Sequence, residues 1–290
     1  MMTVTVKNGL LKAQRQWVNG LEPDHALQLL ILNLMPTKVT TERQFIQRFA
    51  ALDTDVAVTF MYPETHQFKS VPRELVAENY VTLGQVVDRY FDGLIITGAP
   101  VEKLAFEDVD YWSELEGIIS WAQRHASQTL FECWAAQAGL YEQFNVQKRL
   151  VDHKVFGIYS ADHVDEHSQL VSGFAAGGQL KMPQSRHTEL VLPTSLPDGL
   201  RVVADSDQVG PLVLAAPALR AVYVTGHPEY EAETLANEYE RDLRKRLPIQ
   251  APQHYFKAGQ PREVDYSWST ASCRLYANWL KTLNLTKVGL

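Results

Sequence analysis

Five short apolar runs limit what this chain can fold into more than any other feature. They are Ala26–Leu34, Asp55–Tyr62, Gly93–Gly98, Thr129–Cys133 and Arg220–Gly226. Each run is nearly continuous in apolar residues, which is typical of a strand buried on both faces of a sheet. Helical periodicity fills most of the gaps between the runs. Strands that alternate with helices predict an α/β fold, in which helices cover both faces of a parallel sheet.

Four segments carry the predicted helices, and one long segment differs from the rest. The helices are expected at Thr41–Leu52, Asp108–Ala126, Ala232–Leu247 and Ser269–Leu283. Between Val151 and Leu214, short strand-like pieces are interrupted by Gly and Pro, as in "GFAAGGQLKMPQSRH". This segment predicts an irregular, partly antiparallel extension of the sheet. We therefore expect an N-terminal extension at residues 1–27 and a single domain at residues 28–290 that includes the C-terminal helix.

Composition excludes several classes of protein. Of 290 residues, 46% are hydrophobic and 21% are charged, which indicates a globular chain with a sizeable core. The net charge of −7 gives no basic surface for nucleic acid, and two cysteines are too few for a disulfide framework. The N-terminus lacks the pattern of a signal peptide, and no apolar stretch is long enough to span a bilayer. We expect a cytoplasmic protein that needs neither a membrane nor nucleic acid.

Three of the predicted strand ends carry unusual residues. They read "ITGAPVE" from Ile96, "FECWAAQ" from Phe131 and "VTGHPEYE" from Val224. Open parallel sheets bind their ligands beyond the carboxyl ends of the strands. The topology therefore predicts that these three segments converge on one site.

Cys133 is the candidate nucleophile of that site. A sharp strand-to-helix turn would expose its side chain at a helix N-terminus, which favours the thiolate form of a cysteine. His227 would accept the proton, Glu229 would orient the imidazole, and the backbone N–H groups of Trp134 and Ala99 would form an oxyanion hole. The residues alone leave the alternative open, in which Cys133 packs as a small apolar side chain and His227 and Glu229 lie in a surface turn.

A set of motifs in a fixed order identifies a family. The motifs are "LILNLMPTKVTTERQF", "FDGLIITGAPVE", "FEDVDYW", "TLFECWAAQAGLY", "KVFGIY", "MPQSRHTE", "VTGHPEYEAETLANEYERD" and "LYANWL", and they are spread over about Leu30 to Leu283. In this order they resemble the homoserine O-acyltransferase family, whose fold is flavodoxin-like and similar to class I glutamine amidotransferases. Taken together the motifs are highly specific, whereas "LNLMP" or "GHPEY" alone is weak.

The resemblance implies a ping-pong acyl transfer in methionine or cysteine biosynthesis, in a homodimer. Cys133 would take the acyl group from an acyl-CoA, with no separate cofactor and no metal, and a small hydroxy amino acid would receive it. The residues that match the family's substrate-binding positions are Lys154, Ser185 and Arg241. Cations suit the carboxylate of an amino acid and the phosphates of CoA, although ordinary surface charge is the alternative, above all for Arg241.

The residue after "TGAPV" is associated in this family with the choice of acyl group. A glycine there accommodates succinyl, and a glutamate favours acetyl. This chain has Glu102, whose carboxylate would repel the second carboxylate of succinate. The resemblance therefore implies acetyl-CoA as the donor, with homoserine O-succinyltransferase activity as the alternative and an exposed turn as the structural alternative for Glu102.

The chain departs from the family pattern before its last helix. The family usually has "W-R-S-H" there, whereas this chain reads "WSTA" from Trp268 to Ala271. The missing Arg and His leave the acceptor open between L-homoserine and L-serine, and a serine O-acetyltransferase branch of the family has similar truncations. A cysteine hydrolase or glutaminase, and a regulatory homologue without activity, are the remaining rivals.

Three further residue patterns have structural explanations as well as functional ones. "HVDEH" from His163 to His167 fits the H-x-x-E-H zinc pattern, but no apolar helical stripe surrounds it, so a solvated loop is expected. His187 suits a structural or a functional role equally. Cys273 is expected to be a packing residue of the final helix.

Overall fold

The chain is described here by a computed structural model that covers residues 3–174 and 179–287. The strands are β1 (Val4–Val6), β2 (Leu27–Leu32), β3 (Val56–Met61), β4 (Phe91–Ile96), β5 (Ala126–Glu132), β6 (Gln147–Ser160), β7 (His163–Val164), β8 (Lys181–Val191), β9 (Arg201–Ser206), β10 (Gly210–Ala216), β11 (Ala221–Val224), β12 (Phe256–Lys257) and β13 (Gln260–Val264). The helices are α1 (Leu10–Ala13), α2 (Lys38–Ala50), α3 (Arg73–Asn79), α4 (Leu83–Val86), α5 (Trp112–His125), α6 (Trp134–Phe144), α7 (Thr234–Arg244) and α8 (Ser269–Lys287).

In this part of the chain, nine strands form one sheet in the order β1-β3-β2-β4-β5-β11-β10-β9-β7. The six strands from β1 to β11 in this order run parallel, and β10, β9 and β7 continue the sheet antiparallel. The α/β fold with a partly antiparallel extension is therefore confirmed. The five predicted strands are all present. β2, β3 and β11 are shorter than their apolar runs, whereas β4 begins two residues before its run and β5 begins three residues before its run.

Successive residues of β2 pack alternately in two different hydrophobic cores, one on each face of the sheet. Leu29 and Ile31 pack in a cluster with Phe45 of α2 and Trp279 of α8, whereas Leu30 and Leu32 pack in a second cluster. That second cluster includes apolar residues of α5 and α6. Both faces of the sheet are thus buried under helices, which explains why the strands have no polar face.

The long segment after α6 differs from the prediction of short broken pieces. β6 and β8 form an antiparallel ribbon of their own, paired from Gln147–Val191 to Ser160–Lys181 with an irregularity between Leu150 and Val155. The first half of β6 is largely exposed, so its polar residues do not show the apolar pattern that predicts a strand. The second half packs in a small third core around Tyr255 and Trp268.

The first residues of the chain take part in the main sheet. Val4–Val6 pairs in parallel with β3, and the buried Glu42 of α2 accepts hydrogen bonds at 2.7 Å from the backbone N–H groups of Leu10 and Leu11. The predicted division into residues 1–27 and 28–290 stays a prediction, but this segment supplies an edge strand rather than lying apart. None of the helices in residues 3–174 and 179–287 combines the length and hydropathy that a bilayer span requires.

Candidate active site

The turn from β5 to α6 holds Cys133 in an unusual backbone conformation. Its φ is 51° and its ψ is −116°, outside the regions that L-residues ordinarily occupy. The backbone N–H of Cys133 donates to the carbonyl of Val224 at 2.8 Å, which fixes the turn to the neighbouring strand β11. Strained backbone of this kind persists where the surroundings enforce it, and it is frequent at functional sites. It also matches the strand–turn–helix geometry of a nucleophile elbow.

His227 and Glu229 follow β11, the strand beside β5. The imidazole Nδ1 lies 2.7 Å from Oε1 of Glu229, and both side chains are buried. Burial alone would lower the pKa of His227, but Cys133 and Glu229 together outweigh it and raise that pKa well above its usual value. The spacing predicts that the two side chains point the same way, and here they form a buried ion pair beside Cys133.

Gly98, just beyond β4, lies against both Cys133 and His227. A Cβ atom on Gly98 would be 3.1 Å from Cβ of Cys133 and 3.1 Å from Cε1 of His227. The absence of a side chain at this position therefore lets the cysteine and the imidazole approach each other. The three predicted strand ends, after β4, β5 and β11, come together at this point.

The two predicted oxyanion-hole residues lie at the same place. Trp134 is the first residue of α6, where a backbone N–H has no acceptor in a preceding helical turn. Ala99 is buried and follows Gly98 directly. Their N–H groups as an oxyanion hole stay a prediction.

A charged cluster adjoins the Cys133–His227–Glu229 group. The ring of Tyr230 stacks on His227, and its hydroxyl donates to Oε1 of Glu238 at 2.8 Å. The other carboxylate oxygen of Glu238 accepts from Ser185 Oγ at 2.6 Å and from Lys154 Nζ at 3.3 Å. Burial raises the pKa of Glu238, but Lys154 and the hydroxyl donors outweigh it, so the net shift is downward. Two of the predicted substrate-binding residues therefore meet on a carboxylate that the sequence did not single out.

Arg241 lies at the outer end of this cluster. Its Nε donates to Oδ1 of Asp242 at 2.7 Å, and Oδ2 of Asp242 lies 3.7 Å from Lys154 Nζ. The Arg241 side chain is 47% exposed, so its guanidinium is open to solvent on one side. Nothing in the sequence distinguishes Glu238, because it belongs to a helix rich in Glu and Arg, where one partly buried carboxylate resembles the exposed ones.

Glu102 is half-buried on the loop after β4. Lys148 of β6 donates to the backbone carbonyls of Glu102 at 2.5 Å and Leu104 at 2.6 Å, which ties this loop to the ribbon. Glu102 also acts electrostatically on His187 of β8, whose pKa is lowered by burial and by Lys103. Glu102 is thus neither a fully exposed turn residue nor an ion-paired core residue.

The "WSTA" segment packs beside the site. Trp268 is buried, and its indole Nε1 donates to the backbone carbonyl of Tyr230 at 2.9 Å. Arg48 of α2 donates to the same carbonyl at 3.2 Å and to the carbonyl of Ser269 at 3.2 Å. Arg48 also lies 3.4 Å from Cys273 Sγ, so that cysteine is a half-buried packing residue of α8.

The zinc-like pattern at His163–His167 does not form a metal cluster. His163 lies in β7, paired to β9, rather than in the expected loop, and its Nε2 is 3.3 Å from Asp207 of the same sheet edge. Among the residues that the structure describes, no three His, Cys, Asp or Glu side chains are arranged to hold a metal ion.

Solved structures that superpose on this fold include glutamine amidotransferases. One from Thermotoga maritima superposes with a TM-score of 0.57 at 13% identity, over 89% of this chain and 98% of that chain. Another, from Methylobacillus flagellatus, gives a TM-score of 0.55 at 16% identity, over 90% of this chain and 95% of that chain. These likenesses confirm the glutamine amidotransferase-like fold.

Sequence relatives are much closer. A protein named homoserine O-acetyltransferase from Bacillus licheniformis is 39% identical over 256 residues, which are 88% of this chain and 84% of the relative. A protein of the same name from Streptococcus pneumoniae is 40% identical over 256 residues, which are 88% of this chain and 81% of the relative. The family model for homoserine O-succinyltransferase matches residues 17–287 and so begins ahead of Leu30, where the motifs begin. The chain is an acyltransferase and belongs to the homoserine O-succinyltransferase family.

Proposed function

We propose that the chain transfers an acetyl group from acetyl-CoA to the hydroxyl of L-homoserine or L-serine through a thioester on Cys133. The observation that carries the proposal is the buried group at the strand ends, in which strained Cys133 adjoins the His227–Glu229 pair. A thiol becomes an effective nucleophile beside a base that takes its proton. The names of the relatives, homoserine O-acetyltransferase, support the donor and one of the two acceptors.

In the first half-reaction, Cys133 sulfur attacks the thioester carbonyl carbon and His227 holds the thiol proton. The tetrahedral intermediate collapses as the bond from carbon to CoA sulfur breaks, and His227 returns the proton to the leaving thiolate. The backbone N–H groups of Trp134 and Ala99 are the candidates to stabilise the oxyanion. The products are free CoA and acetyl-Cys133.

In the second half-reaction, His227 accepts the proton of the acceptor hydroxyl, whose oxygen attacks the acetyl carbon. Acylation helps this step, because the negative charge of Cys133 is one of the two influences that raise the pKa of His227. When that charge is gone, only Glu229 still opposes the effect of burial, so the pKa of His227 falls and the neutral imidazole, the form that accepts a proton, becomes more favourable. The bond from carbon to Cys133 sulfur then breaks and the sulfur regains its proton.

The charged cluster beside His227 supports a small amino acid as the acceptor. Such a molecule carries a carboxylate and an ammonium group, and the cluster offers both signs: the cations Lys154 and Arg241 and the carboxylate of Glu238. The half-buried Glu102 supports acetyl rather than succinyl as the acyl group, because a second carboxylate near it would be repelled.

The altered "WSTA" segment is the specific reason to keep L-serine as a second acceptor. Trp268 contacts the backbone of Tyr230, so a change in this segment lies close to the acceptor cluster. L-serine is shorter than L-homoserine by one methylene, and such a difference contributes only about 1–3 kcal/mol to discrimination.

The experiment is a matrix of acetyl-CoA and succinyl-CoA against L-homoserine and L-serine, scored by kcat/KM for CoA release with the ester product identified. We expect the largest value for an acetyl-CoA pair, continued turnover that depends on the acceptor, and no CoA release with Cys133→Ala. Continued CoA release without an acceptor, beyond the single equivalent that acylation of Cys133 yields, would instead indicate a hydrolase. A folded protein that is inactive with all four pairs would favour a regulatory homologue.

A further inference from the structure

Glu132 is a buried carboxyl group that the reaction above does not use. It is the last residue of β5, directly before Cys133, and none of its surface reaches solvent. The hydroxyl of Tyr276 in α8 donates to its Oε1 at 2.5 Å. Its other oxygen, Oε2, is buried and has no hydrogen-bond partner among the described residues.

The same situation occurs in the carboxylate that orients His227. Oε1 of Glu229 lies against the imidazole, and its Oε2 is buried without a partner in the described part of the chain. Two buried carboxyl groups that interact electrostatically therefore each have one oxygen without a partner in the described part of the chain. Buried polar atoms are nearly always hydrogen-bonded, so a pair of exceptions at one site calls for an explanation.

These two carboxyl groups act strongly on each other. Burial raises the pKa of Glu132 well above its usual value, and the charge of Glu229 is the largest further contribution in the same direction. The other groups that act on Glu132 are the Tyr276 hydroxyl, His227 and Cys133, and Arg48 of α2 acts electrostatically on Tyr276. Two neighbouring carboxyl groups in a dry site do not both ionise.

We propose that Glu132 is a positioning residue of the acyl-transfer site, whose carboxyl group is held by Tyr276, keeps its proton and directs it to the free oxygen of Glu229. Of these two carboxyl groups, Glu229 alone then carries a negative charge. This inference rests on the proposed function, because it assigns a task to Glu132 within that reaction.

The reaction requires a neutral group at this position. Acylation removes the charge of Cys133 and so allows His227 to become a neutral base. An ionised Glu132, which interacts with His227, would replace the lost charge and keep the imidazole protonated. A hydrogen bond from a neutral Glu132 to Glu229 also holds the carboxylate in the orientation that contacts the imidazole.

Glutamine is the matched substitute for a protonated Glu132. Its carbonyl oxygen accepts from Tyr276, and its amide N–H donates to Glu229 as the carboxyl O–H does. Glu132→Leu, in contrast, removes both functions at similar volume. We expect Glu132→Leu to lower kcat about 10–100-fold and Glu132→Gln to recover most of that loss, on the scale of residues that orient active-site ligands. Circular dichroism checks that both variants fold.

The pH profile separates a positioning role from a merely structural one. In the wild type, loss of the Glu132 proton at alkaline pH is expected to reduce kcat, whereas Glu132→Gln has no such proton and keeps its rate. If kcat of the wild type and of Glu132→Gln changed in the same way at alkaline pH, the proposal would be overturned. A Glu132→Gln variant as inactive as Cys133→Ala would also overturn it.

Infrared spectroscopy tests the proton without any turnover. The difference spectrum between wild type and Glu132→Gln at neutral pH is expected to contain the carbonyl stretch of a protonated carboxyl group. A carboxylate band in its place would overturn the proposal. Because this measurement needs no substrate, it decides the state of Glu132 even if the chain proves to catalyse another reaction.

Discussion

The imidazole of His227 lies almost flat against the ring of Tyr230, with ring centroids 4.1 Å apart and planes 14° from parallel. The hydroxyl of the same tyrosine donates to Glu238, the centre of the charged cluster that includes Lys154 and Ser185. One residue therefore joins the proposed acyl-transfer group to the proposed acceptor cluster. A change in the acceptor cluster is expected to influence the position of the base.

Tyr230→Phe tests this connection. The variant keeps the ring stacked on His227 but removes one donor from the partly buried Glu238, whose side chain is 14% exposed. We expect the free energy of unfolding to fall by about 1.5–3 kcal/mol, the range for the loss of a hydrogen bond to a charged group. The KM for the amino-acid acceptor is expected to rise more than the KM for acetyl-CoA.

The matched control is Tyr90→Phe, which removes a hydroxyl hydrogen bond of 3.0 Å to Ser127 from a half-exposed tyrosine. Urea unfolding and steady-state kinetics measure both variants. Equal stabilities and equal KM values for Tyr230→Phe and the wild type would show that the hydroxyl does not support the cluster.

Gly98→Ala tests the close approach of the cysteine and the histidine. The added methyl group would lie 3.1 Å from both side chains, so one of them has to shift by a few tenths of an ångström. We expect kcat/KM to fall by about tenfold, less than the roughly 10²-fold loss that a misplacement of about 1 Å causes in an active site. Gly117→Ala in α5 is the control, because no atom other than those of its chain neighbours and of the helix backbone lies within 4 Å of its added Cβ. That control should retain activity and gain about 0.5–1 kcal/mol of stability.

Glu102→Gly tests the choice of acyl group. Removal of the carboxylate is expected to raise the ratio of kcat/KM for succinyl-CoA to that for acetyl-CoA by about tenfold or more, which corresponds to about 1.4 kcal/mol. Lys103→Gly introduces the same flexibility one residue later, at an exposed position, and should leave the ratio close to that of the wild type. If both variants shift the ratio equally, loop flexibility rather than charge sets the preference.

The buried Lys38 is expected to make the stability of the folded protein depend on pH. Burial lowers its pKa from 10.5 to about 7 although Glu42 opposes the shift. The unfolded chain therefore binds more protons than the folded protein between these two values, and stability rises with pH across that window. Relative to Lys38→Met, the wild type should gain about 1–2 kcal/mol in free energy of unfolding from neutral pH to pH of about 9. Parallel curves for the two proteins would show that Lys38 does not titrate in this way.

The sequence predicts the parallel sheet because burial on both faces leaves a local signal. Leu29, Leu30 and Ile31 are all apolar since helices cover them from both sides. The ribbon formed by β6 and β8 leaves no such signal, because the outer half of β6 is solvated and polar. Val4–Val6 is a strand of only three residues whose partner β3 is distant in the sequence, so its pairing is decided by tertiary structure.

The candidate site also contains some residues that the sequence predicts and others that it does not. Cys133, His227 and Glu229 follow predicted strands, and the topology is enough to bring them together. Glu132 and Glu238 cannot be identified in the same way, because their surroundings come from α8, β6 and β8, far away in the sequence. Charged residues are recognised as buried only when the partners that bury them are known.

The central claim is that Cys133 carries the acyl group, and mass spectrometry of the intact protein tests it most directly. After brief mixing with acetyl-CoA in the absence of an acceptor, the protein should gain one acetyl group, located by proteolysis on the peptide that contains Cys133. Addition of L-homoserine or L-serine should remove it and release the O-acetyl amino acid, and Cys133→Ala should never gain it. An acetylated amino acid formed at wild-type rate by Cys133→Ala, or by a wild-type protein that never carries the acetyl group, would contradict the account.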